Sequence, residues 1–200
     1  MTQTPLREHS TQDQRIVHHG RTWEQFKHIQ KGFADSLRVR LFYYDGMIEI
    51  LMPGREHELF SHVIGCLITI FLAQKGIFFQ PTGSMTQERE QEASAQADQS
   101  YCIGIVKPIP DLSIEVVFTS GGVDKLARYR VLNVPEVWFW QDGVLMLYSL
   151  SADGYQRSDR SKLPGLEDLD INLLKRCILI AETDTGEAIR AFQQEIAKQN

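Results

Sequence analysis

The stretch Asp111-Leu112-Ser113-Ile114-Glu115-Val116-Val117 reads as a β-strand, yet it carries two acids. Alternate side chains of a strand share a face, so Asp111, Ser113, Glu115 and Val117 point one way and Leu112, Ile114 and Val116 the other. A carboxylate on an inner strand is costly unless it is paired or bound to a cation. The acidic face of this strand is therefore the first sign of a site. Asp111 and Glu115 do not serve one ion together: four residues of strand cover about 13 Å, against carboxylate–metal bonds of about 2 Å for magnesium.

The partner has to come from a neighbouring strand. Asp98 to Ile105 is a second strand candidate, joined to Asp111–Phe118 by a loop containing Pro108 and Pro110. An antiparallel hairpin with its midpoint near Val106-Lys107 sets Asp98 opposite Glu115 and Asp111 opposite Cys102. Directly opposed side chains have Cβ atoms about 4.5–5.5 Å apart, a separation at which two carboxylates repel unless a cation or a shared proton intervenes. Lys125 opens the helix predicted over Asp124–Leu132, after a turn at Thr119-Ser120-Gly121-Gly122, and its long side chain can reach back to Glu115. In phosphodiester hydrolysis a hard cation holds the phosphate and activates water, while a lysine stabilises negative charge. These residue types fit that division of labour.

Further out, Thr22 is placed to cap a short helix over Trp23–Lys31. Val39–Tyr44 and Met47–Met52 form two strands around Asp45-Gly46, a strong hairpin signal. From Glu56 to Gln74 the apolar spacing is helical, with Gly76 past the last turn as a C-cap. Ile77–Gln80 reads as a short strand, and the Glu- and Gln-rich stretch 87–96 as a loop or surface excursion. Val137–Trp140 and Val144–Ser149 form another hairpin around Asp142-Gly143, and Asp153-Gly154 marks one more turn. Leu173–Ala181 is a strand or buried segment, and Thr185–Lys198 an amphipathic helix with Ile189, Phe192 and Ile196 aligned. Residues 1–20 show no clear period and read as a flexible lead-in to a single domain over 21–200. The class is α/β (α+β), with one mixed sheet flanked by helices.

Composition bounds the rest. Two hundred residues suffice for one domain with a real core, and no apolar run reaches the length of a bilayer span. The polar N-terminus lacks an apolar leader segment, which makes the cytoplasm the default location. Cys66, Cys102 and Cys177 are scattered in apolar stretches and read as small core residues, not as a zinc site or disulfide framework. A net charge of −5 argues against a broad nucleic-acid-coating surface, though not against a local basic cleft. Neither a phosphate-binding glycine loop nor a serine nucleophile elbow is found.

The block Pro110–Val117, followed by Thr119-Ser120, Lys125, Tyr129 and Val134-Pro135-Glu136-Val137-Trp138, resembles the Uma-type putative endonuclease family of the PD-(D/E)xK restriction-endonuclease-like superfamily. Tyr44-Asp45-Gly46-Met47-Ile48-Glu49-Ile50, Pro53 and His57 resemble its N-terminal part, and the likeness runs from about Trp23 to Leu150. The resemblance implies a restriction-endonuclease-like fold, with Asp98 and Glu115 as the metal-binding acids and Lys125 as the lysine moved from strand to helix. Two positions depart from the superfamily pattern. Ala97 replaces the usual proline before Asp98, and Val117 stands where an ordinary E-x-K places its lysine.

Three further residues are accessory candidates. Asp111 either caps the loop after Pro110 or joins the site. Glu49 either faces the same cleft or is exposed on an amphipathic strand, the second being preferred. His57, between Glu56 and Glu58, reads first as a helix-surface residue. The expected function is magnesium- or manganese-dependent endonucleolytic hydrolysis of DNA, with a catalytically silent nuclease-like binding or assembly module as the alternative. A homodimer would use the apolar surfaces of the C-terminal helix or of the strands bearing Trp138 and Trp140, unless both pack internally.

Overall fold

The computed structural model describes residues 12–36, 38–118 and 125–198. The chain forms two sheets where the sequence suggested one. The smaller, five-stranded sheet is antiparallel throughout, in the order β1-β3-β2-β6-β5. It comprises β1 (Gln14–His18), β2 (Arg40–Tyr44), β3 (Met47–Met52), β5 (Thr86–Arg89) and β6 (Ala93–Gln96). The larger sheet has six strands in the order β11-β10-β9-β8-β7-β4. These are β4 (Phe79–Pro81), β7 (Gln99–Ile103), β8 (Leu112–Val117), β9 (Glu136–Gln141), β10 (Val144–Ser151) and β11 (Gly154–Ser158). β8 and β9 run parallel, and the chain between them contains α3 (Leu126–Leu132).

Three apolar clusters fix the layering. On one face of the large sheet, Leu112, Ile114 and Val116 of β8 and Trp138 and Trp140 of β9 pack against three helices. These are α2 (Arg55–Gln74), α4 (Ile171–Ile180) and α5 (Thr185–Ala197). On the other face, Val117, Val137 and Phe139 meet Phe42 and Leu51 of the small sheet, the small residues Ala93, Ala95 and Ala97, and Leu126, Tyr129 and Leu132 of α3. The far side of the small sheet packs Leu41, Tyr43 and Ile48 under Trp23 and Phe26 of α1 (Trp23–Gly32). The alternation expected along β8 is thus observed, and its polar face is enclosed between the two sheets.

Several elements form as the sequence predicts. Thr22 makes a capping box with Gln25 at the start of α1. The β2–β3 and β9–β10 hairpins turn through Asp45-Gly46 and Asp142-Gly143, where both residues have φ near +50° to +70°. That left-handed geometry matches the strand twist, and Asp or Asn followed by Gly adopts it at least cost. β7 and β8 pair with Gln99 opposite Ile114 and Tyr101 opposite Leu112, the register that sets Asp98 opposite Glu115. Asp98 itself lies just before the ladder, its backbone N–H donating to Ile114 O at 2.9 Å.

Other expectations are corrected. The polar stretch 87–96 is not a loop: it contributes β5 and β6, because Gln87 turns inward to exchange hydrogen bonds with Ser113 while Ala93 and Ala95 pack inside. Leu173–Ala181 lies mostly within helix α4, whose buried Leu173, Leu174, Cys177 and Ile178 follow a helical period under an Asp170 cap. The lead-in contains β1, an edge strand whose mostly exposed residues, with only Ile16 and Val17 apolar, conceal it from an apolar-period search. Residues 1–11, the 119–122 turn and Asp124 lie outside the described residues.

Two further points concern surfaces. α2, of twenty residues, is long and apolar enough by length and composition to cross a membrane, contrary to the sequence expectation. More than half of its apolar window is buried within the fold, as in a core helix. Trp138, Trp140, Phe192 and Ile196 all lie in the large core cluster. The apolar faces named for a homodimer thus pack internally, the alternative the sequence left open.

Candidate metal centre

Asp98 and Glu115 are both buried, at 3% and 1% exposure, on the face of the large sheet that meets the small one. Each carboxylate is wrapped by its own set of donors. Asp98 Oδ2 accepts from the backbone N–H of Val116 at 2.6 Å. Its Oδ1 receives Nε2 of His57 at 2.8 Å and Nη1 of Arg40. Arg40 comes from the first residue of β2, and His57 from the first turn of α2. His57 is held from behind by Asp13, whose Oδ2 lies 2.8 Å from Nδ1 while Oδ1 accepts from Gly54 N–H at 2.7 Å.

This row of groups shifts its own acid–base equilibria. Burial alone would raise the Asp98 pKa, but the charges of Arg40 and His57 prevail and hold it at about 2. Burial alone would lower that of His57, yet Asp98 and Asp13 raise it to about 9. His57 is therefore an imidazolium at neutral pH, with both ring nitrogens donating.

Glu115 is served by one side of α3. Lys125, Arg128 and Tyr129 are spaced i, i+3, i+4 and so project together. Lys125 Nζ donates to Oε2 at 2.7 Å, Arg128 Nη2 to Oε1 at 3.3 Å, and the Tyr129 hydroxyl to Oε1. Arg128 Nη1 donates to Glu49 Oε2 at 2.8 Å, and Glu49 Oε1 accepts from Arg15 Nε of β1 at 2.7 Å. The Arg128 guanidinium also stacks on Phe42, 4.0 Å from the ring centre. Burial would raise the Glu49 pKa, but Arg128 and Lys125 outweigh it and bring it to about 2. Burial, reinforced by the Glu115 charge, pushes the Tyr129 hydroxyl well above its ordinary value.

The fold thus brings Asp98, Glu115 and Lys125 to one region between the sheets. Glu49 and His57, expected at the surface, are each 1% exposed and join the Glu115 and Asp98 arms respectively. Glu49 is buried because β3 turns it, with Leu51, toward the large sheet; His57 is buried because it faces Asp98 instead of solvent. Asp111 stays apart. It accepts from Ile103 N–H at 2.7 Å and from Lys107 Nζ at 2.6 Å, closing the β7–β8 loop. Sequence reading missed Arg40, Arg128, Asp13 and Arg15 as partners. A basic residue on an otherwise apolar strand, as in Arg40-Leu41-Phe42, and one three residues after Lys125, were the available signals.

The donor set can be tested against a divalent cation. Among the described residues no group of three His, Cys, Asp or Glu is arranged around a common ion position. Two carboxylates with waters and substrate phosphate nonetheless form an ordinary magnesium set. Oδ1 of Asp98 and Oε1 of Glu115 each receive two donors, whereas Oδ2 and Oε2 each receive one. An oxygen with two acceptor positions thus leaves one position on Oδ2 and one on Oε2. Asp98 and Glu115 are the residues that would hold a hard cation here, with waters and substrate completing its shell.

A search of curated proteins found no match. A family model described as a putative restriction endonuclease, Uma2, matches residues 23–175, about three quarters of the chain. The match spans Arg40, Glu49, His57, Asp98, Glu115, Lys125 and Arg128, and leaves β1 with Asp13 and Arg15 outside. The two-sheet α/β architecture flanked by helices is consistent with a restriction-endonuclease-like fold. On this match and this architecture, the chain belongs to the Uma2 family of putative restriction endonucleases, within the restriction-endonuclease-like superfamily.

Proposed function

We propose that the chain is an endonuclease that hydrolyses phosphodiester bonds in DNA with magnesium or manganese held by Asp98 and Glu115. One observation carries this reading: the β7–β8 register sets two buried acids, Asp98 and Glu115, at opposed positions, with Lys125 Nζ 2.7 Å from Glu115. The ion, when bound, would polarise the phosphate and lower the pKa of a coordinated water. Lys125, held by Glu115, stands ready to stabilise charge building on the attacked phosphate. Arg128 and Tyr129 fix the Glu115 carboxylate, and His57 and the Val116 amide fix that of Asp98, so both acids keep one orientation. The cytoplasm remains the proposed location. A homodimer would have to use surfaces other than the buried apolar faces of the C-terminal helix and tryptophan strands.

The test is cleavage of supercoiled and linear DNA with magnesium or manganese. Asp98→Asn and Glu115→Gln should abolish cleavage, and Lys125→Ala should reduce it by about 100-fold, the scale for removing one preorganised charge-stabilising group. Cleavage that persists in Glu115→Gln would refute the assignment. A second reading, a silent nuclease-like binding or assembly module, is favoured by one feature: every oxygen of Asp98 and Glu115 already accepts a hydrogen bond within the chain. Metal-independent DNA binding without cleavage would select it.

A further inference from the structure

We propose that Arg40 is the internal counter-cation of this centre and a phosphate ligand once the centre is loaded. Without metal its guanidinium neutralises Asp98; a divalent cation at Asp98 takes over that charge and frees Arg40 for a substrate phosphate. The inference rests on the metal-dependent reading above.

Charge balance is the first argument. Leaving His57 aside, the buried acids Asp13, Glu49, Asp98 and Glu115 face Arg15, Arg40, Lys125 and Arg128. Four carboxylates meet four cations, with His57 and half-exposed Glu58 besides, so the buried acids are already compensated without metal. A divalent ion would add two positive charges in a low-dielectric space, where like charges repel strongly. Either a cation must withdraw or an anion must enter.

The geometry points to Arg40 as the cation that yields. Arg128 is locked between two buried carboxylates and stacked on Phe42. Arg40 instead divides its fork between buried Asp98 and Glu58, whose side chain is 55% exposed at the rim. It also shares Oδ1 with His57, the two donor nitrogens lying 3.1 Å apart, an arrangement that weakens its hold.

A destination lies next to it. Arg40, whose side chain now faces Asp98, also borders at the start of β2 a cavity of about 620 Å³ on the α1 side of the small sheet, whose wall includes Lys27, Lys31, Thr86 and Gln96. Gln96 precedes Asp98 by two residues, and its side chain accepts from Leu41 N–H at 2.7 Å, so the cavity borders the strand ends that carry the site. On a chain of net charge −5 this basic lining suits a phosphodiester backbone. A guanidinium is also well shaped for two-point phosphate binding.

The test is calorimetric titration of the full-length chain with manganese, alongside binding of a labelled DNA duplex in calcium. Arg40→Gln should bind manganese about tenfold more tightly, as expected when a unit charge near a divalent ion is removed. It should also bind DNA more weakly, with the salt slope reduced by about one. Arg40→Lys, which keeps the charge, should retain wild-type manganese affinity. Should Arg40→Gln fail to fold, Glu58→Gln supplies the answer: Arg40 then bears wholly on Asp98, and manganese affinity should fall about threefold, the scale of a partly exposed pair.

Unchanged or weaker manganese binding in Arg40→Gln, or unchanged DNA binding, overturns the proposal, as does unchanged manganese binding in Glu58→Gln. Adding Glu115→Gln separates the two readings. Manganese binding that survives it places the ion elsewhere and defeats the metal-centre reading itself. Binding that Glu115→Gln abolishes but Arg40→Gln leaves unaltered defeats only the role of Arg40.

Discussion

Arg128 joins Glu49 of the small sheet to Glu115 of the large one, donating Nη1 to the first at 2.8 Å and Nη2 to the second at 3.3 Å. The guanidinium is 2% exposed, so the charges it couples are buried as well. Breaking such a pair from one side leaves uncompensated charge in the interior, at a cost of about 3–5 kcal/mol. Arg128→Met should lose that much stability in urea denaturation. Adding Glu49→Gln should recover part of the loss. A single variant as stable as wild type would show that the bridge does not join the sheets.

Stability of the metal-free protein should depend on pH through the His57–Asp98 contact. His57 is raised from 6.5 to about 9, so its contribution is complete below pH 6.5 and disappears as pH rises through about 9. Asp98 is lowered from 3.8 to about 2, so its contribution is present above pH 3.8 and is lost as pH falls through about 2. The His57 shift amounts to about 3 kcal/mol, shared between Asp98 and Asp13; the Asp98 shift owes most to Arg40, and the His57–Asp98 contact common to both is counted once. Denaturation midpoints measured across pH should form a plateau between about 4 and 6.5 and fall toward pH 9. His57→Gln should flatten the alkaline limb; an unchanged limb would remove His57 as its cause.

Much of this fold was legible wherever local chemistry and burial agree. The β2–β3 and β9–β10 hairpins follow from Asp-Gly pairs, and the β7–β8 register follows from the apolar alternation around a short loop. Asp98 and Glu115 were legible as a pair because charge on an inner strand demands compensation. Lys125 was legible as the partner of Glu115, but the other groups that compensate the pair were not. Arg40 and His57 lie 58 and 41 residues before Asp98, on β2 and α2, and only the packing of the small sheet and of α2 against the large sheet brings them there. β1 escaped for a related reason: an edge strand covered on neither face carries no apolar period, and its role is expressed through Arg15 alone. α4 was misread because its apolar run fits either period until Asp170 is recognised as its cap.

Asp111 gives a contrast within the same strand region. Its carboxylate is occupied by Ile103 N–H and Lys107 Nζ, and its work is to close the β7–β8 loop. Asp111→Asn should therefore cost about 1–2 kcal/mol, the value of one charge-assisted hydrogen bond in a partly exposed setting, measured by thermal or urea unfolding. Manganese affinity should stay at the wild-type level. A large loss of metal binding in a folded Asp111→Asn protein would return Asp111 to the centre.

Among the described residues, Glu136 is the buried acid that the candidate centre does not use. At 1% exposure it accepts from Trp138 Nε1 at 3.0 Å, Ser149 Oγ at 3.0 Å, Ser161 Oγ at 2.8 Å and the backbone N–H of Lys162 at 2.5 Å. Two oxygens meet four donors, so the carboxylate pins the start of β9 to β10 and to the segment after β11. Glutamine is nearly isosteric but offers one acceptor oxygen, and its amide would turn two protons toward donors. Each donor left buried without a partner costs about 1–3 kcal/mol. Glu136→Gln should then destabilise the fold by about 2–5 kcal/mol, read as a lower urea midpoint with an unchanged slope. It should leave manganese affinity untouched at temperatures where the protein remains folded. Equal stability of Glu136→Gln and wild type would mean that these four bonds are replaced by others as strong, and the assignment of Glu136 as a structural clamp would fall.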